Sequence, residues 1–417
     1  MNPSIPLYIG IDWAQDKHAV CILDGEQRRD EELTQDAKAI EQWVRNLQKQ
    51  YPQRELCIAV EQKSGPLVYA LLEHPTLVLY PINPKQAARY REALYPSGPK
   101  TDPIDAHLLA RFVQGHKDHL KPLRQDSPLT RKLDALARGR RKLVEQRKQE
   151  QQRLSGALKA YFPFMLTFPY ANIRLSHQQW LKWLKKYPTL KQLQQADPRT
   201  LRRRLRDWGI DNREKQDDLI QKIRAAKPLT QDAAVIEPQA LMTQTTAKQI
   251  EVLNTAIEQF EQQLATALAE HEDAEIFRSV PGAGDALIPR LIAAFGDDRE
   301  RFQAADEVAS VSGIAPVTRS SGKNKVVVKR FACPKFLRQT FVEFADQARR
   351  WCPWSRAYFQ QKKDKGQKTQ AILRALAFKW IRIFFRMWKT KKKYNEAKYL
   401  QGLRIRNPEL YKSIEAN

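Results

Sequence analysis

The chain has 417 residues, and its 72 lysines and arginines exceed its 47 aspartates and glutamates, giving a formal net charge of +25. This length predicts two to three domains, and so large a positive charge predicts a polyanionic partner, of which nucleic acid is the usual one. With no apolar run of 18 residues, no signal-peptide pattern and no cysteine framework (Cys21, Cys57, Cys333 and Cys352 are far apart), a membrane protein is disfavoured and a reducing cytoplasm is expected.

Residues 1–125 alternate short apolar runs with helical patterns. The runs LYIGIDWA, HAVCILDG, ELCIAVE and TLVLYPI predict strands, and GPLVYALLEH, KQAARYREAL and PIDAHLLARFVQG have helical spacing. Two early strands followed by strand–helix alternation predict a mixed sheet covered by helices, and the ribonuclease-H-like fold is one member of that class. The predicted fold class is therefore α/β for this part and mostly α for the rest.

Four carboxylates in this region suit a metal-dependent nuclease. Asp12 and Glu61 each end an apolar run, and Asp102 and Asp105 lie three residues apart at the start of a helical pattern. A buried, unpaired charge is costly, and Mg²⁺ prefers hard oxygen ligands. The four acids together therefore predict one or two Mg²⁺ ions beside a scissile phosphate.

Helix capping is the alternative explanation for the last pair. In D-P-I-D, Asp102 makes a good N-cap, Pro103 a good first helical residue, and Asp105 a favourable charge in the first turn. Asp12 taken alone fits a turn after a strand, and Glu61 taken alone fits an ordinary strand end.

Two long helices with narrow apolar seams are predicted at 126–160 and 241–274. Their simplest arrangement is an antiparallel pair, within or between subunits. Residues 161–240 between them predict a helical insert, in which two short helices flank Gly209. Its basic residues and Trp208 suit a nucleic-acid backbone and a stacked base, or else a solvated hairpin with Trp208 in its own small core.

Residues 275–392 predict a second compact domain, followed by a tail at 393–417. A P-G-x-G turn between two helices in SVPGAGDALIPRLIAAFGD is typical of helix–hairpin–helix elements, whose backbone amides meet a phosphate. A polar loop, a basic strand and two amphipathic helices follow. No G-x-x-x-x-G-K-[ST] nucleotide loop is present, which disfavours an ATP-driven reaction.

The motifs GIDWA, AVEQKSGPL and KTDPIDAHLLARF resemble the DEDD signature of the insertion-sequence-110 transposases, relatives of the Piv-type invertases. The second half, from SVPGAGDALIPRLIAAFGD to the stretch around SGIAPVTRSSGK, resembles that family's C-terminal transposase domain. The resemblance covers roughly residues 6–155 and 245–385 and leaves the insert outside it.

The resemblance implies a particular chemistry. A RuvC-like amino-terminal domain holds Mg²⁺, and a serine of the C-terminal domain attacks DNA to form a covalent phosphoserine. It also implies a structured guide RNA that pairs with donor and target DNA, a homo-oligomer up to a tetramer with shared active sites, and a prokaryotic, nucleoid-associated setting.

The family serine precedes a glycine and maps to Ser321, with Ser320 as the neighbour that spacing alone does not exclude. Without the resemblance, S-S-G-K is an ordinary turn. A serine hydroxyl needs activation, and with no histidine nearby in sequence the metal site is expected to supply it. Basic residues around the serine are candidate phosphate contacts, with a solvated basic face as the alternative: Arg319, Lys323, Lys325, Lys329 and Arg330.

The loop after Ser321 departs from the family. Many relatives have a glycine-rich stretch there, whereas this chain has KNKVVVKRFACPKFLRQ. Two other functions remain open at this point. One is a RuvC-like nuclease, junction resolvase or invertase that uses water and no guide RNA, and the other is a non-catalytic nucleic-acid-binding scaffold.

Overall fold

The computed structural model describes residues 6–95, 101–167, 175–321, 324–328 and 330–415, and at 319–321, 324 and 325 it describes the backbone alone. The chain divides into two compact units, Met1–Gln125 and Asp126–Asn417. The first unit is α/β and the second is mostly helical. The predicted combination of fold classes is therefore confirmed.

The first unit is built on a five-stranded mixed sheet with the order β3-β2-β1-β4-β5. β1, β2 and β3 are antiparallel neighbours, whereas β4 and β5 run parallel to β1. This sheet is compatible with the predicted ribonuclease-H-like domain. The elements are β1 (Leu7–Asp12), β2 (Lys17–Asp24), β3 (Gln27–Thr34), α1 (Ala37–Gln50), β4 (Leu56–Val60), α2 (Pro66–Leu72), β5 (Leu77–Pro81), α3 (Pro84–Leu94) and α4 (Asp102–His116).

The two faces of the sheet are covered by different helices. Leu7, Ile9 and Ile11 alternate along β1 and share one core with α1 and α2. The residues between them face the opposite way, as the two-residue period of a strand requires. On that second face, Tyr8 packs with Ala106 and other residues of α4.

In the first unit, β3 is a strand that the sequence does not predict; in the second unit, β6 (Val317–Ser321) likewise replaces the predicted polar loop. The sequence of β3, QRRDEELT, is almost entirely polar, and Leu33 is its one buried side chain. The strand forms the edge of the sheet beside β2. An edge strand with a solvated surface needs little apolar content, so its sequence carries no alternating apolar pattern.

The second unit contains two long helices, a group of short helices between them, a two-stranded hairpin and a carboxyl-terminal helical core. The elements are α5 (Pro128–Tyr161), α6 (Phe164–Thr167), α7 (Gln178–Lys186), α8 (Leu190–Gln195), α9 (Pro198–Arg206), α10 (Arg213–Ala225), α11 (Ala233–Ala269), α12 (Ala274–Arg278), α13 (Ile288–Phe295), α14 (Ala305–Val311), β6 (Val317–Ser321), β7 (Asn324–Val328), α15 (Lys335–Trp351), α16 (Pro353–Asp364), α17 (Thr369–Thr390), α18 (Glu396–Arg406) and α19 (Pro408–Glu415).

The long helices α5 and α11 pair antiparallel within the chain. Arg140 contacts Glu261 at 2.5 Å, and Arg147 donates to Asn254 at 3.0 Å, so later residues of α5 meet earlier residues of α11. The predicted antiparallel pairing is therefore confirmed as an intramolecular one. α11 begins about ten residues earlier than its apolar seam suggests and contains Pro238.

The insert has a hydrophobic core of its own. Trp180, Leu181 and Leu184 of α7 pack with Leu201 and Leu205 of α9 and with the nearby ends of the long helices. Trp208 is half-buried and stacks on Trp183 with 4.8 Å between ring centroids. The packing alternative for Trp208 is thus the one observed.

The carboxyl-terminal core gathers aromatic residues from α13, α15 and α17 around Phe295, Phe344 and Phe384. The segment predicted as a tail forms α18 and α19, and its Leu403 and Leu410 are buried in this core. All four cysteines are unpaired. Burial raises the pKa of the Cys352 thiol to about 12 and that of Cys57 to about 11, so neither is a thiolate at neutral pH.

Candidate active site

Asp12 and Glu61 lie at the same end of the sheet, where the inner strands β1 and β4 have their carboxyl ends. β1 and β4 are parallel neighbours, and their last paired residues are Ile11 and Val60. Asp12 follows Ile11 as the last residue of β1, and Glu61 directly follows β4. Both acids are half-buried. Strand alternation places them on the face that α4 covers. The two predicted ligands are therefore brought to one end and one face.

The direction of α4 brings the other two acids to that end of the sheet. Near the helix carboxyl terminus, Gln114 donates to the carbonyl oxygen of Gly25 at 3.1 Å, and Lys117 forms an ion pair with Glu55. Gly25 and Glu55 both lie at the amino ends of β1 and β4. The helix thus runs antiparallel to these strands, and its first turn, with Asp102 and Asp105, lies toward their carboxyl ends.

Gly10 fixes the distance between β1 and α4. A Cβ atom at this position would lie 2.0 Å from the carbonyl oxygen of Ala106 and 2.5 Å from the nitrogen of Ala110. The backbone of α4 therefore rests directly on β1, one turn beyond Asp102. A glycine inside a strand often marks such a close backbone approach.

The prediction that Asp102 is the N-cap of α4 is wrong. Thr101 is the extended N-cap residue, and Asp102 is the first helical residue. Thr101 makes no side-chain capping bond, and its carbonyl oxygen accepts from Asp105 N–H at 3.0 Å. Asp102 is exposed, and as a first-turn acid it interacts favourably with the helix dipole without being the cap.

Asp105 is buried and paired with a cation from α3. Its Oδ1 lies 2.5 Å from Nη2 of Arg91, and the side chains are 8% and 23% exposed. No hydrogen bond of good geometry reaches Asp105 Oδ1 within the described residues. Arg91 compensates the charge through proximity, and the buried oxygen keeps unused acceptor capacity.

The four acids lie toward one end of the sheet but do not form a ready-made cage. Among the described residues, no three His, Cys, Asp or Glu side chains lie together closely enough to hold a metal ion. Their chemistry nevertheless fits a hard cation, because they offer only carboxylate oxygens and one of these is buried without a hydrogen bond. The residues present therefore fit Mg²⁺ once their side chains converge.

His18 holds the loop that follows Asp12, a role that the sequence does not reveal. Its Nδ1 accepts from Ala14 N–H at 3.1 Å, so the proton lies on Nε2, which donates to Gln35 Oε1 at 2.6 Å. His18 is completely buried. A histidine at the start of an apolar strand was the available signal for such a positioning residue.

The predicted nucleophile lies at the end of a strand. Ser321 is the last residue of β6, and its backbone pairs with Asn324 across the hairpin. Its side chain lies outside the described part of the chain. Val326 and Val327 of β7 are 56% and 60% exposed, so this strand presents apolar side chains to solvent.

Of the five predicted phosphate contacts, Arg330 is the one whose side chain is described. It is half-buried, and its Nε lacks a hydrogen-bond partner in the described structure. Arg338 donates to its carbonyl oxygen at 2.6 Å. Lys323 and Lys329 lie outside the described residues, as do the side chains of Arg319 and Lys325.

The P-G-x-G turn borders a cleft of about 710 Å³ in the second unit. Gly282 has φ +85°, and a Cβ there would lie 3.1 Å from the backbone nitrogen of Ala348, so packing against α15 requires glycine. Arg141 and Arg290 both pair with Glu343 inside the cleft, at 2.8 and 2.6 Å. The charges in this cleft are largely balanced.

Comparison with known proteins gives two family matches in chain order. A model of the IS110 DEDD type, described as "Transposase", matches residues 9–163, and one described as "Transposase IS116/IS110/IS902 family" matches residues 274–360. Together the two matched segments cover more than half of the chain. The chain belongs to the IS110 transposase family.

Full-length relatives agree with this assignment. The "Mini-circle putative transposase for IS117" of Streptomyces coelicolor is 29% identical over 94% of this chain and 96% of its own length. The "Insertion element IS900 uncharacterized 42 kDa protein" of Mycobacterium paratuberculosis is 26% identical over 94% of this chain and 98% of its own.

The matched segments divide the features of this IS110 transposase. The first contains the four acids, and the second contains the Ser321 hairpin. The cleft is lined from both, and residues 164–273 with most of the insert fall between them. In the described part of the transposase, no helix combines the length and apolarity that a bilayer-spanning segment needs.

Proposed function

We propose that this IS110 transposase cuts and rejoins DNA through a covalent phosphoserine at Ser321, with Mg²⁺ held by Asp12, Glu61, Asp102 and Asp105. The observation that supports the proposal is that the strand register and the direction of α4 orient all four acids toward the carboxyl ends of β1 and β4. Bound Mg²⁺ would stabilise negative charge on the reacting phosphate and its neighbouring oxygens.

The protein's own chemistry in this scheme is a transesterification. The Ser321 oxygen forms a bond to phosphorus, the bond from phosphorus to one bridging deoxyribose oxygen breaks, and the freed strand end takes up the proton that the serine gives up. Rejoining reverses these steps with a strand-end hydroxyl as the attacking group. The number of phosphodiester bonds is conserved, so no ATP is required.

Two partners belong to the same proposal. A structured guide RNA, bound together with donor and target DNA, is supported by the family resemblance and by the net charge of +25. A homo-oligomer, up to a tetramer with shared active sites, is supported by the resemblance alone, and the mass of the assembly in solution tests it.

The decisive experiment separates serine chemistry from hydrolysis by water. Ser321→Ala should abolish the covalent protein–DNA adduct on a nicked substrate and lower strand transfer by at least about 10²-fold, because an activated nucleophile is lost. Ser320→Ala is the matched control and should keep both. The readout is the adduct on a denaturing gel beside the rate of strand transfer.

Three other outcomes are informative. If Ser321→Ala cleaves at the wild-type rate with no adduct in either protein, a RuvC-like nuclease that uses water replaces the proposal. If Ser320→Ala is the variant that loses the adduct, the nucleophile is reassigned. If Asp12→Asn and Glu61→Gln retain full Mg²⁺-dependent cleavage, the four acids do not form the catalytic metal site and that part of the proposal is wrong.

A further inference from the structure

The insert presents a row of arginines on one face of α9. Arg199, Arg203 and Arg206 follow the i, i+4, i+7 spacing of a single helix face, and all three are exposed. They span about 10 Å along the helix, given a rise of 1.5 Å per residue. We refer to these three residues as the α9 arginine row.

Local structure holds this row rigidly at the surface. Asp197 caps α9 by accepting from Thr200 N–H at 3.0 Å, and Gly209, at φ +77°, lies in the turn that follows the helix. Leu201 and Leu205 on the opposite face are completely buried in the core of the insert. The side of the helix that carries the row is thereby fixed toward solvent.

The charges of the row are not compensated by neighbouring carboxylates. Neighbouring Arg202 contacts Asp217 at 2.8 Å, and Arg213 approaches the same carboxylate at 3.7 Å. In contrast, no ion pair or hydrogen bond within the described structure involves the side chains of the α9 arginine row. Three like charges on one face repel one another unless an anion lies between them.

We infer that the α9 arginine row binds the phosphodiester backbone of a double-stranded nucleic acid. Guanidinium groups on one helix face suit consecutive phosphates, which arginine contacts through paired N–H donors. Trp208 is half-buried and one face of its ring stacks on Trp183, which favours a packing role over base stacking. Backbone contact without base stacking favours a duplex and predicts little sequence preference.

This inference rests on the proposed function for the presence of nucleic acid, but it assigns a separate surface. In the sequence, the row lies in the interval 164–273, between the two family matches, so it belongs to neither matched segment. It would hold DNA or structured RNA while chemistry takes place elsewhere. The insert would then serve as an accessory clamp.

The test uses the full-length protein and two matched triple variants. R199Q/R203Q/R206Q removes the row, and R45Q/R153Q/R278Q removes three surface arginines that are each paired with a carboxylate. Both variants lose the same net charge. Equilibrium binding of a duplex DNA and, separately, of a hairpin RNA is measured by anisotropy across a salt series.

Loss of three phosphate contacts should weaken binding between about 10-fold and 100-fold and reduce the salt slope by about two to three for DNA. The control triple should stay within about threefold of the wild type. R199K/R203K/R206K keeps the charge and should bind more tightly than the glutamine variant but less tightly than the wild type, because lysine cannot make paired N–H contacts. Equal unfolding temperatures of the variants separate binding from folding. Weakening for DNA alone, for RNA alone or for both supports the inference and identifies the ligand.

The inference is overturned if the glutamine variant binds both nucleic acids like the wild type, or if the control triple loses as much affinity. Adduct formation at saturating DNA should survive in the glutamine variant. In Ser321→Ala the adduct should vanish while binding persists. Failure of this inference and failure of the proposed chemistry are therefore distinguishable.

Discussion

Among single residues, Arg91 is the one that most changes the interpretation of the acids. It comes from α3 and lies 2.5 Å from Asp105, the most buried of the four carboxylates. Burying a lone carboxylate is expensive, and an adjacent cation offsets that cost. In the metal-free protein that cation is Arg91, and a divalent ion at Asp105 would compete with it.

This competition gives a prediction for metal binding. Arg91→Gln should tighten Mg²⁺ binding by about tenfold or more, because the ion no longer displaces or faces a guanidinium at close range. The same change should lower the unfolding temperature of the metal-free protein, since Asp105 loses its counter-charge. Isothermal titration with Mg²⁺ and thermal unfolding with and without Mg²⁺ measure the two effects.

Arg89→Gln is the control, because Arg89 is exposed on the same helix. If Arg91→Gln binds Mg²⁺ no better than Arg89→Gln does, then Arg91 is not a competitor of the metal. Neither measurement depends on catalytic turnover.

Among single residues, the sequence predicts the acids but not the side chains that hold them, Arg91 and His18. Asp12 and Glu61 are marked by their places at the ends of apolar runs. Arg91 and His18 act through contacts that strand pairing and helix packing create, and no local pattern encodes them. Trp208 shows the converse, since a tryptophan among arginines suits base stacking by composition while its contact with Trp183 is a matter of packing.

At the scale of elements, the contact between β1 and α4 controls the site. The first turn of α4 lies toward the carboxyl end of β1, and the helix backbone lies directly on that strand at Gly10. Short apolar runs and helical spacing predict both elements, but the closeness of the contact follows from a single missing side chain. The sequence does not predict β3, because an edge strand needs few apolar residues. It also does not predict the early start of α11, because Pro238 costs a helix about 3 kcal/mol and packing around Ala240 and Thr243 offsets this cost.

Gly10→Ala should therefore destabilise the first unit by about 3 kcal/mol or more, because its methyl group would meet helix backbone that cannot rotate away. Thermal unfolding of the full chain measures the effect. Gly115→Ala on α4 is the control, since a Cβ there meets nothing within 4 Å. That substitution should stabilise the protein by about 0.5–1 kcal/mol. Equal unfolding temperatures for the two variants would contradict the close contact.

For the molecule as a whole, a buried polar network ties distant parts of the second unit together. Asp297 accepts from Ser127 N–H and from Thr130 Oγ1 at 2.5 and 2.6 Å. Burial raises the pKa of Asp297, but these hydrogen bonds and nearby His271 outweigh it and leave the pKa below its usual value. The network links the start of α5 to the end of α11 and to the loop after α13.

Because the pKa of Asp297 is lowered on folding, its carboxylate stabilises the native state above pH 4. That contribution should disappear as the pH falls through the folded pKa. Asp297→Asn should cost about 1–3 kcal/mol at pH 7, and the difference from the wild type should shrink below about pH 4. Thermal unfolding from pH 7 to pH 3 measures this, with exposed Asp285→Asn as the control. A pH-independent difference would exclude the mechanism.

The paired helices α5 and α11 also act as a spacer of fixed length. Leu133 of α5 belongs to the carboxyl-terminal core and Leu158 to the core of the insert, so about 38 Å of helix separates the two anchor points. One turn of B-form DNA rises 34–36 Å. A duplex lying along the pair would therefore turn the same groove toward the protein at both anchor points. Contacts at the two points would then depend on the number of base pairs per turn between them. Lengthening both helices by half a DNA turn would make the protein contact opposite sides of the duplex at the two anchor points.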